Sequence, residues 1–208
     1  MIDKKIICGI DEAGRGPLAG PVYAAAVILN TDIKFDFLDD SKKLSQSERG
    51  LARNEIYKNA FAWGIGFASH AEIDEINILM ASLLAMKRAF NDMLKRNIKI
   101  KQLLADNKIK VIIDGNFTPL KLPAEKSFDA PEINAPCEAM IKADAQIQEV
   151  MAASILAKTE RDDYMKGMAL RYPQYGYEKH KGYPTKEHRE AVLKYGPSPI
   201  QRLSFKVK

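Results

Sequence analysis

The sequence has few of the residues that form disulfides or bind soft metal ions. Its 208 residues include two cysteines and three histidines. Cys8 and Cys137 lie far apart and form no C-x-x-C motif, so we expect reduced thiols in a reducing compartment. A disulfide scaffold is excluded, and a zinc site is not expected.

Long apolar runs are also absent. The longest uncharged stretch, Gly16–Thr31, is interrupted by two prolines and a glycine and is shorter than the roughly 20 residues that a membrane-spanning helix requires. Near the N-terminus, the apolar run Ile6–Ile10 stops at an acidic pair, too early for the core of a signal peptide. We therefore expect a cytoplasmic protein.

Positive charge is concentrated in the last quarter of the chain. The sequence has a formal charge of +5, and residues 158–208 contain 12 Lys and Arg against 6 Asp and Glu. A basic region beside a nearly neutral body favours a polyanionic partner such as nucleic acid, although a solvated helical surface would have the same composition. At about 150 residues per domain, the length predicts a single domain over residues 1–208, with a helical, basic C-terminal part from about residue 160.

Hydrophobic periodicity predicts helices interleaved with strands. Capping-box signatures at Ser45 and Ser69 predict the starts of two helices, and short apolar runs predict strands. The predicted strands are Ile6–Ile10, Val22–Leu29, Phe61–Ala68, Lys110–Gly115 and Glu138–Lys142. The predicted helices are Ser45–Asn59, Ser69–Leu94, one from Ile147 through Lys158, and Lys186–Lys194. This order indicates a mixed α/β sheet, with a turn at Asp11–Pro17.

Carboxylates follow three of the predicted strands. Asp11 and Glu12 follow the first, Asp114 ends the fourth, and Asp144 comes directly after the fifth. Side chains at strand ends converge in α/β sheets, and clustered carboxylates raise one another's pKa unless cations neutralise them. Because all-oxygen ligands favour magnesium or manganese over zinc, the sequence predicts a site for a hard divalent ion.

Each acid also has a structural explanation. Asp144 could be the N-cap of the following helix, and Asp114 could be a turn residue before a glycine. Neighbours in a regular strand point to opposite faces, so Asp11 and Glu12 reach one ion only if the strand breaks there. Gly14 and Gly16 favour such a break.

The glycines around Arg15 resemble a dinucleotide-binding fingerprint, because Gly14–Ala19 satisfies the G-x-G-x-x-G/A pattern. Two prolines and a β-branched run follow, so the helix that this fingerprint requires cannot form, and we exclude a nicotinamide site. The sequence contains neither a P-loop nor a G-x-S-x-G elbow. Free backbone N–H groups and one guanidinium beside a metal site would suit a phosphate and its sugar.

Several motifs together resemble the ribonuclease HII family. The opening stretch, Gly9–Val22, is similar to the family's first signature. Further matches, in the family's order, are Leu38–Ser45, Ile73–Asp74 with Asn77–Ile78, Ile113–Asn116, Lys142–Asp144, Ala152–Lys158 and His180–Thr185. The resemblance implies a ribonuclease H-like fold, with a mixed five-stranded sheet flanked by helices and a helical C-terminal part.

The resemblance also implies a metal-dependent endoribonuclease. Its four catalytic, metal-binding carboxylates would be Asp11, Glu12, Asp114 and Asp144, holding two Mg²⁺ or Mn²⁺ ions. The enzyme would cleave on the 5′ side of ribonucleotides in RNA–DNA hybrids or embedded in duplex DNA, leaving 3′-hydroxyl and 5′-phosphate ends. It would remove misincorporated ribonucleotides and RNA primers. No coiled-coil pattern demands a partner, so we expect a monomer.

The substrate-binding residues follow from the same resemblance. Gly14, Arg15 and Gly16 would hold the ribonucleotide and its phosphates, and Tyr183 would pack on the sugar near the 2′-hydroxyl. The segment around Lys42, and Asn77, would face the nucleic-acid backbone. From the residues alone, Tyr183 could be a packing residue, Asn77 a helix-surface residue and Lys42 part of a solvated charge run.

The chain departs from the family pattern at three positions. Gln201 and Leu203 stand where histidine and arginine are expected, which bears on whether the tail binds nucleic acid. Tyr23 occupies a strand position where a smaller residue is usual, and we expect it to affect packing. Two alternatives to the nuclease stay open from the residues themselves. They are a non-catalytic nucleic-acid-binding module, with affinity from counterion release, and a phosphatase for small phosphoesters.

Overall fold

A mixed five-stranded sheet forms the centre of the computed structural model, which describes residues 5–38, 44–118 and 133–206. The strand order is β3-β2-β1-β4-β5, and β1 pairs antiparallel with β2 and parallel with β4. The strands are β1 (Ile6–Ala13), β2 (Val22–Ile28), β3 (Ala62–Ala68), β4 (Ile109–Asp114) and β5 (Cys137–Met140). The expected mixed sheet is therefore confirmed.

Helices cover both faces of this sheet. They are α1 (Gln46–Asn59), α2 (His70–Arg96), α3 (Ile98–Ala105), α4 (Gln148–Arg171), α5 (Tyr177–His180) and α6 (Lys186–Tyr195). The predicted capping boxes are present at the N-termini of α1 and α2, where Ser45 and Ser69 each accept from the backbone three residues ahead. Short 3₁₀ turns lie at Ala143–Ala145 and Pro173–Tyr175.

Alternation along β2 shows how the layers are built. Ala24 and Ala26 belong to the core beneath α2, whereas Ala25 and Val27 belong to the core beneath α1 and α4. Both sets are almost fully buried, as expected for a central strand with helices on each face. Among the described residues, no helix is both long and apolar enough to cross a membrane.

The structure differs from the predicted elements in three places. The turn predicted at Asp11–Pro17 is wrong at its start, because β1 stays paired with β2 until Ala13 opposite Tyr23. α2 is not one regular helix, since Asn77 has φ 67° and ψ 165° and separates two helical segments. The helix α3 was not predicted, because its eight residues are too few to show a clear period.

The C-terminal part packs against the loop between β1 and β2. A separate small core joins Ala19 of that loop to Met165 and Ala169 of α4, Tyr177 of α5, and Ile200. A short antiparallel bridge pairs Ala19 with Gln201. The chain's last described residues therefore lie beside the segment that follows the first strand.

Candidate active site

Asp11 and Asp114 point to the same face of the sheet. Asp11 lies opposite Ala25 in the β1–β2 ladder, and Ala25 belongs to the core beneath α4. In the parallel β1–β4 pair, Ile10 is opposite Ile113, so Asp11 and Asp114 are the next residues along each strand. Since residues in register share a face, the sheet itself brings these two carboxylates together.

Asp11 is buried beneath α4, with 6% of its surface exposed. Its Oδ1 accepts the Glu12 backbone N–H at 2.7 Å, and it also accepts a hydrogen bond from the Ser154 side chain. Burial, followed by the charge of Glu12, raises the pKa of Asp11 well above its usual value, and the Ser154 hydrogen bond opposes that change. A buried carboxylate in this state favours a neighbouring cation.

Glu12 points to the opposite face, as strand alternation requires, because it pairs with Ala24. Its Oε1 accepts from Arg15 Nη1 at 3.2 Å, whereas its Oε2 is buried and has no hydrogen-bond partner among the described residues. Burial raises the pKa of Glu12, Arg15 lowers it, and the charge of Asp114 raises it further. β1 therefore does not break between the two acids, contrary to the prediction. The charge of Asp114 nevertheless raises the pKa of both carboxyl groups.

Asp144 reaches this edge through a 3₁₀ turn. Its backbone N–H donates to Asp114 Oδ1 at 3.5 Å, the outer limit of a hydrogen bond. Lys142, at φ 59°, bends the chain after β5 so that Asp144 lies beside β4. The N-cap of α4 is Ile147, so the alternative interpretation of Asp144 as a helix cap is wrong.

Within residues 5–38, 44–118 and 133–206, no three His, Cys, Asp or Glu side chains are arranged so that they could hold a metal ion as they stand. Like charges repel, and Asp11, Glu12 and Asp114 each accept a hydrogen bond from a protein donor. The backbone thus brings four carboxylate-bearing positions to one edge of the sheet, and joint coordination of an ion requires side-chain rotation.

The loop from Gly14 to Pro21 follows β1 directly. Gly14 has φ 103°, and a Cβ there would overlap the Arg161 side chain, so only glycine fits. The Leu18 N–H donates to the carbonyl of Gly182 at 2.8 Å. A Cβ at Gly16 would lie 3.7 Å from Tyr183 Cε1, so the predicted loop and the predicted aromatic residue are neighbours.

Tyr183 is 40% exposed and has cationic side chains near its ring. Arg161 and Lys158 lie 5.7 and 5.9 Å from the ring centroid. The Tyr183 carbonyl accepts from the Thr185 N–H at 2.8 Å and contacts His188 Nδ1 at 3.0 Å. Tyr183 is therefore fixed at its backbone and exposes part of its ring beside the glycine loop.

The stacked rings of His180 and His188 pack against the backbone of Gly182 and Tyr183. Their centroids are 4.5 Å apart, and both side chains are buried. His180 Nδ1 accepts the Gly182 N–H, so its Nε2 carries the proton and donates to the Tyr175 carbonyl. Burial lowers the pKa of both histidines.

The remaining predicted contacts have different outcomes. Asn77 is exposed, and its Oδ1 accepts the N–H groups of Leu79 and Met80 at 3.0 and 3.1 Å, so it caps the second segment of α2. Lys42 lies outside the described residues. Tyr23 stacks on Phe67 at 5.5 Å between ring centroids, in keeping with a packing role.

Three side chains that shape the site have no role predicted from the sequence: Ser154, Arg161 and Arg202. Ser154 lies one helical turn before Lys158, so the sequence places these two side chains on one face of α4. Arg161 and Arg202 are 1% and 0% exposed. No local signal could have found them, because arginines are mostly exposed and their partners are distant carbonyls.

Comparison with solved structures defines the class. The chain superimposes on the crystal structure of Bst-RNase HIII in complex with Mn²⁺ with a TM-score of 0.73 and 16% identity, covering 100% of this chain and 69% of that one. It also superimposes on RNase HII of the PCNA:RNase HII complex from Archaeoglobus fulgidus with a TM-score of 0.67 and 27% identity, covering 98% and 96%. The fold is that of the ribonucleases H.

Sequence comparison identifies the family. The model of the ribonuclease HII family matches residues 8–208. Ribonuclease HII of Treponema denticola is 51% identical over 206 residues, which cover 98% of this chain and 99% of that protein. Ribonuclease HII of Dechloromonas aromatica is 44% identical over 200 residues, covering 96% and 90%. The chain belongs to the ribonuclease HII family and is a ribonuclease H hydrolase acting on nucleic acid. This family membership disfavours the two alternatives from the sequence, a non-catalytic nucleic-acid-binding module and a phosphatase for small phosphoesters.

Proposed function

We propose that this endonuclease hydrolyses the phosphodiester on the 5′ side of a ribonucleotide, both in RNA–DNA hybrids and where one ribonucleotide is embedded in duplex DNA. The products carry 3′-hydroxyl and 5′-phosphate ends, and the role is removal of misincorporated ribonucleotides and RNA primers. The observation that supports the proposal most directly is that the acidic edge, the glycine loop and Tyr183 lie next to one another. The acidic edge at Asp11 leads within three residues to the Gly14–Gly16 loop, and Gly16 faces Tyr183.

Asp11, Glu12, Asp114 and Asp144 are the proposed ligands of two Mg²⁺ or Mn²⁺ ions. The orphaned, buried Glu12 Oε2 and the raised pKa of Asp11 and Glu12 support a cation among them. Bound divalent ions would supply an activated water and stabilise the leaving 3′-oxygen. No three of the described acidic side chains are placed to hold an ion as they stand, so coordination requires side-chain rotation, and Glu12 offers its free Oε2 beside the Oε1 that contacts Arg15.

Arg15 and the loop amides are the proposed phosphate contacts. Arg15 is half exposed and makes a hydrogen bond at 3.2 Å to Glu12 Oε1, so its guanidinium can turn towards a phosphate. Main-chain N–H groups of a glycine turn form a concave anion site that needs no further side chain. Together they would fix the strand next to the scissile bond.

Tyr183 is the proposed reader of the sugar. The ring, which lies close to Gly16, would pack against the ribose beside the glycine loop and exclude a displaced sugar by shape. The 2′-hydroxyl is both donor and acceptor and is what distinguishes RNA from DNA at a given position.

Asn77 and Lys42 are proposed contacts to the nucleic-acid backbone. Asn77 Oδ1 is occupied by the α2 cap, which leaves its Nδ2 group as the donor for a phosphate. We also propose that residues 1–208 act as one catalytic domain and as a monomer. The cores on the two faces of the sheet share β2, and the core beneath α1 and α4 shares α4 with the C-terminal core, which supports one unit.

The test uses an end-labelled duplex that carries one ribonucleotide, with an all-DNA duplex as matched control. We expect one cut, on the 5′ side of the ribonucleotide, in Mg²⁺ or Mn²⁺ and none after chelation. Cleavage of the all-DNA duplex at the same rate, or a cut on the 3′ side, would contradict the assignment. A small chromogenic phosphoester should remain uncleaved.

A further inference from the structure

Two buried arginines hold the β1–β2 loop by its carbonyls. Arg202 donates from Nε to Gly20 at 2.8 Å, from Nη1 to Arg15 at 3.0 Å, and from Nη2 to Gly14 and Pro21 at 2.6 and 3.2 Å. Arg161 donates to Pro21 at 3.0 Å and to Ala19 at 3.2 Å. Neither guanidinium forms an ion pair within the described part of the chain. Carbonyl oxygens accept their hydrogen bonds, and the ring centroids of Tyr183 and Phe205 lie 5.7 and 5.1 Å from the guanidinium carbons of Arg161 and Arg202.

These contacts determine which way the loop amides point. In a trans peptide the C=O and the following N–H point in opposite directions. The carbonyls of Gly14 and Arg15 point inward to Arg202, so the N–H groups of Arg15 and Gly16 point outward. The arginine thereby orients the two amides that the proposed function assigns to a phosphate.

The charge beneath the loop reinforces this orientation. Burial, and then the neighbouring Arg161 charge, lowers the pKa of Arg202 to about 9, and the Asp74 charge opposes this change. A buried cation that forms no direct ion pair favours an anion on the accessible side of the loop. Arg202 therefore contributes both geometry and potential to the site without touching the ligand.

The tail that carries Arg202 is itself anchored. Asp74, in the first segment of α2, accepts the N–H groups of Leu203 and Ser204 at 2.8 and 2.9 Å and the Ser204 hydroxyl at 2.5 Å. The tail and the loop also exchange backbone hydrogen bonds, from Arg202 N–H to the Leu18 carbonyl and from Gly20 N–H to the Ile200 carbonyl, both 2.8 Å.

We propose that Arg202, held in place by Asp74, is a positioning residue for ribonucleotide recognition, and that the C-terminal tail acts on the loop rather than on nucleic acid. The proposal rests on the proposed function of the loop. It also accounts for Gln201 and Leu203, where the family pattern has histidine and arginine. Gln201 is 4% exposed and cannot reach a duplex, and Leu203 is an apolar side chain next to the Asp74 anchor.

The first arm of the test does not depend on cleavage. Asp74→Ala removes all three anchoring hydrogen bonds from a partly exposed position, and Lys206→Ala removes a tail charge that no contact uses. Amide hydrogen exchange at Gly20 and Arg202, the two amides that pair the loop with the tail, should accelerate about tenfold in Asp74→Ala, the equivalent of losing one charge-assisted bond, and stay unchanged in Lys206→Ala. Unchanged exchange in Asp74→Ala would overturn the anchor.

The second arm measures cleavage of the ribonucleotide-containing duplex. Asp74→Ala should lower kcat/KM about tenfold, and the loss should be smaller in an Arg15→Ala background because both changes act through one loop. Arg202→Lys should be as defective as Arg202→Met, since a single ammonium cannot span four carbonyls. Additive losses, or an equal loss in Lys206→Ala, would instead mean that the tail contacts nucleic acid, and would overturn the proposal.

If the wild-type chain does not cleave the ribonucleotide-containing duplex, the proposed function is wrong. The hydrogen-exchange arm then still tests whether Asp74 anchors the tail to the loop. If Arg202→Met does not fold, Asp74→Ala and Arg202→Lys carry both arms alone. Faster exchange at Gly20 and Arg202 together with wild-type kcat/KM would show that loop order is irrelevant to recognition, and the positioning role would be wrong.

Discussion

Three glycine-to-alanine substitutions separate folding from substrate binding at this site. Gly14, Gly16 and Gly50 would each receive the same methyl group in a different environment. At Gly14 the Cβ overlaps Arg161 and φ is 103°, at Gly16 it meets Tyr183 Cε1 at 3.7 Å, and at Gly50 in α1 it meets nothing within 4 Å. Gly14→Ala should therefore lose stability, Gly16→Ala should lose activity, and Gly50→Ala should lose neither.

The magnitudes follow from these contacts. Gly14→Ala forces a non-glycine residue into a strained backbone region, at about 1–3 kcal/mol, and displaces an arginine with three hydrogen bonds to carbonyls. We expect a loss of about 3 kcal/mol or more, which lowers the Tm by roughly 6–12 °C for a chain of this size. Gly50→Ala should instead stabilise by up to about 1 kcal/mol, because alanine is the better helix former.

Gly16→Ala is the informative case. An ordinary van der Waals contact should leave the free energy of unfolding within about 0.5 kcal/mol of wild type. The methyl group nevertheless protrudes beside Tyr183, where the ribose is proposed to pack, and displacement of the sugar by about 1 Å can reduce the rate about 100-fold. Thermal melts and single-turnover cleavage of the ribonucleotide-containing duplex measure the two effects. Wild-type cleavage by Gly16→Ala would refute the proposal that the ribose packs beside Gly16 and Tyr183.

Three further predictions concern the buried polar groups. Asp11→Asn and, separately, Asp114→Asn should abolish cleavage in gel assays, and near-normal turnover by either variant would contradict their role. The Tm of Asp11→Asn should stay equal to or above that of wild type, because burial and the Glu12 charge disfavour ionised Asp11. Ser154→Ala should lower kcat about tenfold at unchanged Tm through loss of the Asp11 hydrogen bond, and Ser154→Thr, which keeps a hydroxyl, should restore most of it. Burial lowers the folded-state pKa of His180 and His188, so the unfolded chain binds protons first. Their contribution to the free energy of unfolding should be constant above about pH 7 and fall as the pH drops below about 6.5, whereas the raised pKa of Asp11 and Glu12 acts in the opposite direction. Urea titrations of wild type and His180→Gln isolate the histidine contribution, and an equal pH dependence in both would mean that the stacked pair accepts a proton without loss.

Local signals were sufficient for most of the fold. The capping boxes at Ser45 and Ser69 lie at the predicted helix starts, and each predicted strand overlaps an observed one, because caps and apolar runs encode local structure. The end of β1 was not predictable from the same signals. Asp11 and Glu12 are poor strand residues, and the β2 ladder extends the pairing over them. Tertiary pairing there overrides local propensity.

The site shows the same division. The acids could be predicted because strand ends converge, and register then brings Asp11 and Asp114 to one face. The arginines could not, since Arg161 and Arg202 bind carbonyls 140 and 182 residues away, and nothing in the local sequence reports such distances. Asn77 is intermediate: its motif was visible, but its capping of α2 depends on a kink that periodicity does not encode.

Opposite charges at the two ends of one short segment explain why this region does not simply stabilise the fold. At the end of β1, burial raises the pKa of Asp11 and Glu12, and beneath the loop burial lowers the pKa of Arg161 and Arg202. A direct ion pair between the two groups would relieve both, yet the backbone holds the carboxylates at the sheet edge and turns the guanidinia onto carbonyls. Apart from the contact of Glu12 with Arg15, none of these four side chains forms an ion pair within the described residues. Under the proposed function, a phosphodiester with its cations would carry the complementary charges in the same order along the segment, so that ligand binding rather than folding would provide the missing compensation.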